Sequence, residues 1–205
     1  MTRIYFIRHG QATSNESSIW TSIYHGYPLT ELGQEQAKAA GESLRGAGIG
    51  AVYSSHVHRA QQTASVIGAV LGLTPTAIDG VQELHVGVHE GRHNDEVAPI
   101  AQDVFTAWLG TGDLSGGFEG GETGQEVIDR FGIAVDSLVA QAPGRTIAVV
   151  SHGGALALAL SAHCDNVSAP WVARHILRNC AIIAVDHQPG GHWHSHDWDG
   201  ILEPR

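Results

Sequence analysis

Two histidines in this sequence stand at the ends of short apolar runs, each followed at once by glycine. The first is Arg8-His9-Gly10, reached from Ile4-Tyr5-Phe6-Ile7; the second is His152-Gly153-Gly154, reached from Thr146-Ile147-Ala148-Val149-Val150-Ser151. Such runs read as buried strands of an α/β sheet, and open α/β sheets place ligands beyond the carboxyl ends of their strands. A neutral imidazole, with an ordinary pKa of about 6.5, is a competent nucleophile at neutral pH without a separate activating base. A guanidinium beside it is a planar fork of donors suited to an anion. His9 therefore reads as a nucleophile and Arg8 as an anion clamp, with Gly10 allowing a sharp turn and close backbone approach. A third approach comes from the run Ala51 to Ser54, where Ser54-Ser55 lead to Arg59 in the first turn of the next helix. A cation there opposes the helix macrodipole, so a task in the site explains it better than local energetics. If these strands are neighbours, Arg8, His9, Arg59 and His152 form a cationic socket the size of a phosphate.

The elements that must position these groups follow from periodicity. Residues 11 to 29 lack a clean period and read as a long loop lining the site. Thr30 is placed as an N-cap, with Leu32, Ala37, Ala40 and Leu44 on the apolar face of the helix after it. A second helix runs from about His58 to Leu71, and a short strand lies near Thr76 to Ile78. Gln82 to Arg92 is a glycine-punctuated loop carrying acidic, basic and imidazole groups. Asp95 to about Leu109 reads as a weaker helix broken early by Pro99, and Gly110 to Gly121 as a mobile loop or lid base. Glu122 to Gln141 is the clearest helix, with Val127, Ile128, Phe131, Val135, Leu138 and Val139 on one stripe. Ala155 to Ala162 is a helix, and Ser168 to Leu177 a short one capped by Ser168. Ala181 to Val185 and Gly191 to Trp198 read as a hairpin across Gln188-Pro189-Gly190. On its last strand His192, His194 and His196 alternate onto one face. Three such histidines could bind a transition metal, although a solvated edge strand is the better reading.

Composition narrows the function. The chain carries 11 Lys plus Arg against 21 Asp plus Glu, a formal charge of −10. That balance disfavours nucleic acid and anionic membranes as partners. With Lys38 the lone lysine, attraction for an anion must come from arginines gathered in a pocket. No apolar run reaches the roughly eighteen residues of a membrane span. Cys164 and Cys180 have no CxxC spacing and no secretory leader precedes them, so a reducing cytoplasm is expected, with both as small buried residues. At 205 residues the expectation is one domain, residues 1–205, with a core that needs no staples.

The ordered motifs resemble the histidine phosphatase superfamily, in its phosphoglycerate mutase-like branch. They are Arg8-His9-Gly10 with Thr13 and Asn15, Leu29 to Ala37, Ser54-Ser55 with Arg59-Ala60 and Gln62-Thr63-Ala64, Glu83-Leu84 with Gly87 and Glu90-Gly91, Gly120-Gly121-Glu122, and Ser151 to Gly154. The resemblance implies a three-layer α/β/α sandwich with a mostly parallel central sheet. It further implies that His9 becomes phosphorylated and that Arg8, Arg59 and His152 hold the phosphoryl group. Asn15 and Gly153 fall among its substrate-binding positions, and Glu83 where the family has its proton donor. Neither metal nor cofactor is required by this scheme.

The expected activity is hydrolysis of a small phosphomonoester metabolite, by a metal-independent phosphoric monoester hydrolase of the histidine acid phosphatase type. The alternative is a cofactor-dependent phosphoglycerate mutase. Against it, the segment Asn94 to Leu109 is short and lacks Lys and Arg, whereas the family's mutases have an inserted basic segment and a closing tail. A second anion would find only Arg92, Arg174 or Arg178. Trp20, Tyr24, Trp108 and Phe118 lie in the segments expected to rim the site, where they would either meet an organic group of moderate size or serve equally as packing residues, without choosing a substrate. A homodimer stays open, as do two further readings, a metal-dependent hydrolase using the fourteen histidines and a non-catalytic interaction protein of the same fold.

Overall fold

The computed structural model describes residues 1–23, 25–188 and 191–201. Its centre is a six-stranded sheet in the order β3-β2-β4-β1-β5-β6. These strands are β1 (Thr2–Arg8), β2 (Ile49–Ser55), β3 (Thr76–Ile78), β4 (Thr146–Ser151), β5 (Ile182–His187) and β6 (Trp193–Trp198). β3, β2, β4 and β1 run parallel, while β5 is antiparallel to both β1 and β6. β1 and β4 are neighbours in register, Arg8 opposite Ser151, so the two histidine-glycine pairs leave the sheet side by side.

The pleat of β1 and β4 divides the core in two. Ile4, Phe6, Ile147 and Val149 face a large cluster built with α4 (Asn94–Phe105), α5 (Gly124–Gln141), α6 (Gly153–His163) and α7 (Ala169–Val172). Ile7, Ala148 and Val150 face a smaller cluster built with α2 (Glu31–Ser43) and α3 (His58–Leu71). Residues alternate between faces because successive Cβ atoms in a strand point to opposite sides. Helices on both faces make the expected three-layer sandwich. Among the described residues, no helix is long and apolar enough to cross a membrane.

Several local expectations need correction. The 11–29 loop contains a short helix, α1 (Thr13–Glu16), and Tyr24 lies outside the described residues. Pro99 does not break α4: the helix runs through it, the proline is exposed, and Val97 and Ala101 hold the opposite face in the core. α4 then continues into a π-helical segment, Thr106–Thr111. The glycine-rich stretch after it is packed rather than a free lid, since Phe118 is buried against Trp108, whose Nε1–H donates to the Gly116 carbonyl at 2.9 Å. Trp108 and Phe118 therefore brace the site from behind instead of rimming it. Ser168 occupies the N-cap of α7 without a side-chain capping bond; Pro170, at the helix start, has no N–H to offer.

Pro189 and Gly190, read from the sequence as part of the hairpin turn, lie outside the described residues. His192 precedes β6, a bulge interrupts the β5–β6 register, and His194 and His196 bond separate carboxylates, Asp165 and Asp186. Among the described residues no group of three or more His, Cys, Asp or Glu is arranged to hold a metal ion. Cys164 is buried, while Cys180 is only partly so.

Thr30 caps α2 as expected, its hydroxyl accepting from the Gly33 N–H at 3.0 Å. Leu32, however, is exposed, and Gly33 takes the buried position. A Cβ on Gly33 would lie 2.0 Å from the Gln11 carbonyl oxygen, and one on Gly10 would lie 2.5 Å from the Gly33 carbonyl oxygen. Two glycines thus let the chain leaving β1 cross directly over the first turn of α2. In an ordinary helix Gly→Ala is stabilising, but here Gly33→Ala should destabilise by roughly 1–3 kcal/mol because backbone must move. Leu32→Ala, on the same turn, should change stability by less than about 0.5 kcal/mol. Urea denaturation of the two variants checks this; a neutral Gly33→Ala would show that the crossing is not tight.

Candidate active site

His9 is fixed by its two ring nitrogens. Nδ1 lies 2.7 Å from the Gly10 carbonyl oxygen, which can only accept, so Nδ1 carries the ring proton. Arg59 Nε–H donates to Nε2 at 3.0 Å, so Nε2 presents a lone pair. The same guanidinium donates to the Thr21 carbonyl at 3.0 Å, tying α3 to the 11–29 loop. Arg8 donates to the Leu177 carbonyl. Both arginines are thus anchored on neutral acceptors, and their charge is left for the cavity.

His152 is wholly buried beside His9, the ring centroids 5.1 Å apart. Ser55 at the end of β2 accepts from the Val57 N–H at 3.3 Å, and its hydroxyl lies 2.7 Å from His152 Nε2. When the hydroxyl donates in that bond, the ring proton of His152 sits on Nδ1. Arg8 Nε and His152 Nδ1 are buried and without a hydrogen-bond partner among the described residues. Orphaned buried donors are costly and call for an explanation, and a site for an anion supplies one.

Both imidazoles are pushed well below their ordinary pKa. For His9 the cause is burial, then the charges of Arg59 and Arg8; for His152 it is burial, then Arg59, His9 and Arg8. The guanidinium pKa values of Arg8 and Arg59 are lowered as well, chiefly by burial, with Glu83 opposing that effect.

Glu83 sits at the first turn of α6. Its Oε1 accepts from Ala155 N at 2.8 Å and Leu84 N at 3.1 Å, and its Oε2 from Gly154 N at 3.2 Å. A Cβ on Gly154 would lie 2.6 Å from Leu84 Cδ2 and 3.0 Å from Glu83 Oε1, so the glycine makes room for the carboxylate. The loop carrying Glu83 is held from α5. Arg130 donates to the Gly80 and Gln82 carbonyls at 2.7 and 2.9 Å and pairs with Glu122, which accepts from His85 N at 2.8 Å.

These groups open onto a cavity of about 850 Å³, lined at one end by Arg8, His9, Asn15, Arg59, Glu83 and Gly153. His152 stands behind that surface rather than on it. Trp20 lines the cavity, whereas Arg92, Arg174 and Arg178 do not; Arg92 pairs with Glu96 and Arg178 with Asp199. Sequence reasoning missed Asn179, whose amide donates to the His9 carbonyl at 3.1 Å. Thr63 and Glu90 stood in the sequence motifs without an assigned task; Thr63 bridges Gly10 N and the Arg59 carbonyl, and Glu90 fastens the 11–29 loop through Ser22.

Residues 4–199 match the histidine phosphatase superfamily (branch 1). The chain belongs to that superfamily. Among its relatives, a protein of Citrobacter koseri named "Probable phosphoglycerate mutase GpmB" is 33% identical over 189 residues, covering 92% of this chain and 86% of the relative. The solved structure of a mycobacterial glucosyl-3-phosphoglycerate phosphatase in complex with VO3 is 28% identical with a TM-score of 0.83, covering 97% of this chain and 99% of that one. A phosphoserine phosphatase of Entamoeba histolytica, in complex with 3-phosphoglyceric acid, has a TM-score of 0.80 at 23% identity, covers 97% and 96%, and shows the shared fold. The histidine phosphatase fold and the phosphate-sized cluster at its strand ends thus agree.

The neutral imidazoles have a thermodynamic consequence. Below the ordinary histidine value near 6.5, the unfolded chain binds protons at these two positions that the native state refuses. Their contribution to stability is therefore intact above about pH 6.5 and lost as pH falls below it. The limiting slope is about 1.4 kcal/mol per pH unit for each imidazole. Urea unfolding between pH 7.5 and 5.5 should show a shallower loss in the double variant His9→Gln/His152→Gln than in the wild type. Identical slopes would mean that the two rings are protonated in the native state.

Proposed function

We propose that this chain is a phosphomonoesterase that works through a phosphohistidine on His9. The observation that carries the reading is the tautomer lock, in which the Gly10 carbonyl fixes the proton on Nδ1 and leaves Nε2 unprotonated, its lone pair accepting from Arg59 Nε–H until an ester displaces that bond. In the first step Nε2 attacks phosphorus, the P–O ester bond breaks, and Glu83 gives its proton to the departing alkoxide. In the second, water attacks phosphorus, Glu83 takes the proton, and the P–N bond breaks to release inorganic phosphate and neutral His9. Charge spreading over the equatorial oxygens is stabilised by Arg8 and Arg59, with His152 Nδ1–H beside them and Asn15 and Gly153 completing the anion site. Donors already anchored on carbonyls need no reorganisation when the charge develops. The scheme uses no metal.

The competing reading is phosphoglycerate mutase, which the names of the curated relatives favour. A mutase must grip a second anionic group while the first is transferred. Arg92, Arg174 and Arg178 are not on the lining of this cavity, and Arg92 and Arg178 are paired with Glu96 and Asp199, which supports hydrolysis. Hydrolysis of p-nitrophenyl phosphate in excess chelator should proceed and fall on the order of 10³-fold or more in His9→Ala. Arg59→Gln should cost roughly 10²–10³-fold. Enzyme quenched in alkaline detergent should carry an alkali-stable, acid-labile phosphoryl group that His9→Ala lacks. Turnover that dies with chelator and survives His9→Ala would overturn the reading in favour of a metal hydrolase. Faster transfer between 3-phosphoglycerate and its bisphosphate than to water would establish the mutase.

A further inference from the structure

Away from the phosphate end the cavity changes character. Trp20 from the 11–29 loop, Phe105 and Leu109 from α4 and its π-helical extension, and Val172, Ile176 and Leu177 from the segment at α7 form its walls. π-helical turns are uncommon and concentrate at functional sites, and here one carries Leu109 and Gly110 to the cavity surface. Arg8 and Arg59 are the cations on the lining among the described residues, and both stand at the phosphate end. Of the polar groups further out, Asn94 is engaged through Oδ1, which accepts from Trp20 Nε1–H at 2.9 Å, while Ser18, Gln102 and Thr106 add neutral hydroxyl and amide groups but no charge. At the mouth, Ile176 is 88% exposed, an apolar side chain with no packing role of its own.

We infer that the substrate is the phosphate ester of an uncharged, predominantly apolar alcohol, larger than a three-carbon acid, whose hydrocarbon part lies between Trp20, Phe105 and Ile176. This deepens the phosphatase reading and rests on it. A cavity of about 850 Å³ is of the size that encloses a whole organic ligand, and a phosphoglycerate would leave most of it unfilled. A carboxylate carried into this end would lose its hydration against apolar walls with no cation to receive it, and would meet Glu83 if it turned back. An alkyl or aryl group loses nothing and covers Ile176.

The test uses esters whose leaving groups are chemically alike: ethyl, butyl and hexyl phosphate, with 3-phosphoglycerate and O-phosphoserine as acidic comparators. Each buried methylene should raise kcat/KM about fourfold, so hexyl phosphate should exceed ethyl phosphate on the order of 100-fold. Both acidic esters should fall below hexyl phosphate. Ile176→Ser, at a position too exposed to threaten folding, should reduce the hexyl-to-ethyl ratio severalfold. A flat series, or preference for either acidic ester, with phosphohistidine still formed on His9, would overturn this inference and leave the phosphatase intact. Silence on every ester with no phosphoenzyme would overturn both.

Discussion

A cluster of cationic and imidazole groups is buried at the carboxyl end of β1 in a chain whose net charge is −10, and holding it there is the problem the surrounding structure solves. Burying a charge away from water is costly unless fixed dipoles replace the solvent. Here the dipoles are backbone carbonyls, those of Leu177 for Arg8 and Thr21 for Arg59. The imidazoles meet the same constraint by staying neutral, His9 with its proton assigned by the Gly10 carbonyl and His152 hydrogen-bonded to the Ser55 hydroxyl. A carboxylate partner would neutralise an arginine and spoil it for an incoming anion. Carbonyl anchors orient the guanidiniums while leaving their charge available.

That requirement reaches far along the chain. Arg8, His9 and His152 converge because β1 and β4 pair in register, and Ser55 reaches His152 because β2 lies on the other side of β4. Close approach then depends on missing side chains. Gly10 and Gly33 let the loop after β1 cross α2, and Gly154 opens the first turn of α6 to Glu83. The Glu83 loop is further held by Arg130 of α5, far from it in sequence. A rigid shell of this kind is what transition-state stabilisation by preorganised dipoles demands.

The parts legible in the sequence were those written locally. Apolar runs ending in His-Gly gave β1 and β4, and the adverse position of Arg59 at a helix start pointed to the site that the structure shows it entering. The Thr30 cap was equally readable. The Gly33 crossing was not, because a glycine on a helix signals weak propensity, and the carbonyl that excludes its Cβ belongs to Gln11. Asn179, Arg130 and the Ser55 bond to His152 escaped for the same reason, being contacts between distant residues. Trp108 and Phe118 were placed at the rim because an aromatic in a polar loop looks the same whether it braces a site or lines it. Pro99 looked like a break because propensity knows nothing of the core contact of Val97 and Ala101 that carries α4 through it.

The cavity divides its work along its length, and the division follows from solvation. On the proposed mechanism every ester would meet the same Arg8, Arg59 and His9 at the phosphate end, so that end would lower the barrier without choosing among substrates. Choice must come from where substrates differ, the alcohol. An apolar wall discriminates in proportion to the hydrocarbon it covers, and it rejects a charged group by desolvating it. The residues of that wall come from the 11–29 loop, the α4 extension and the α7 segment, none of which carries the phosphate cluster's histidines. The sheet can therefore hold its chemistry constant while the wall changes, which makes the shared family compatible with relatives of different named activities.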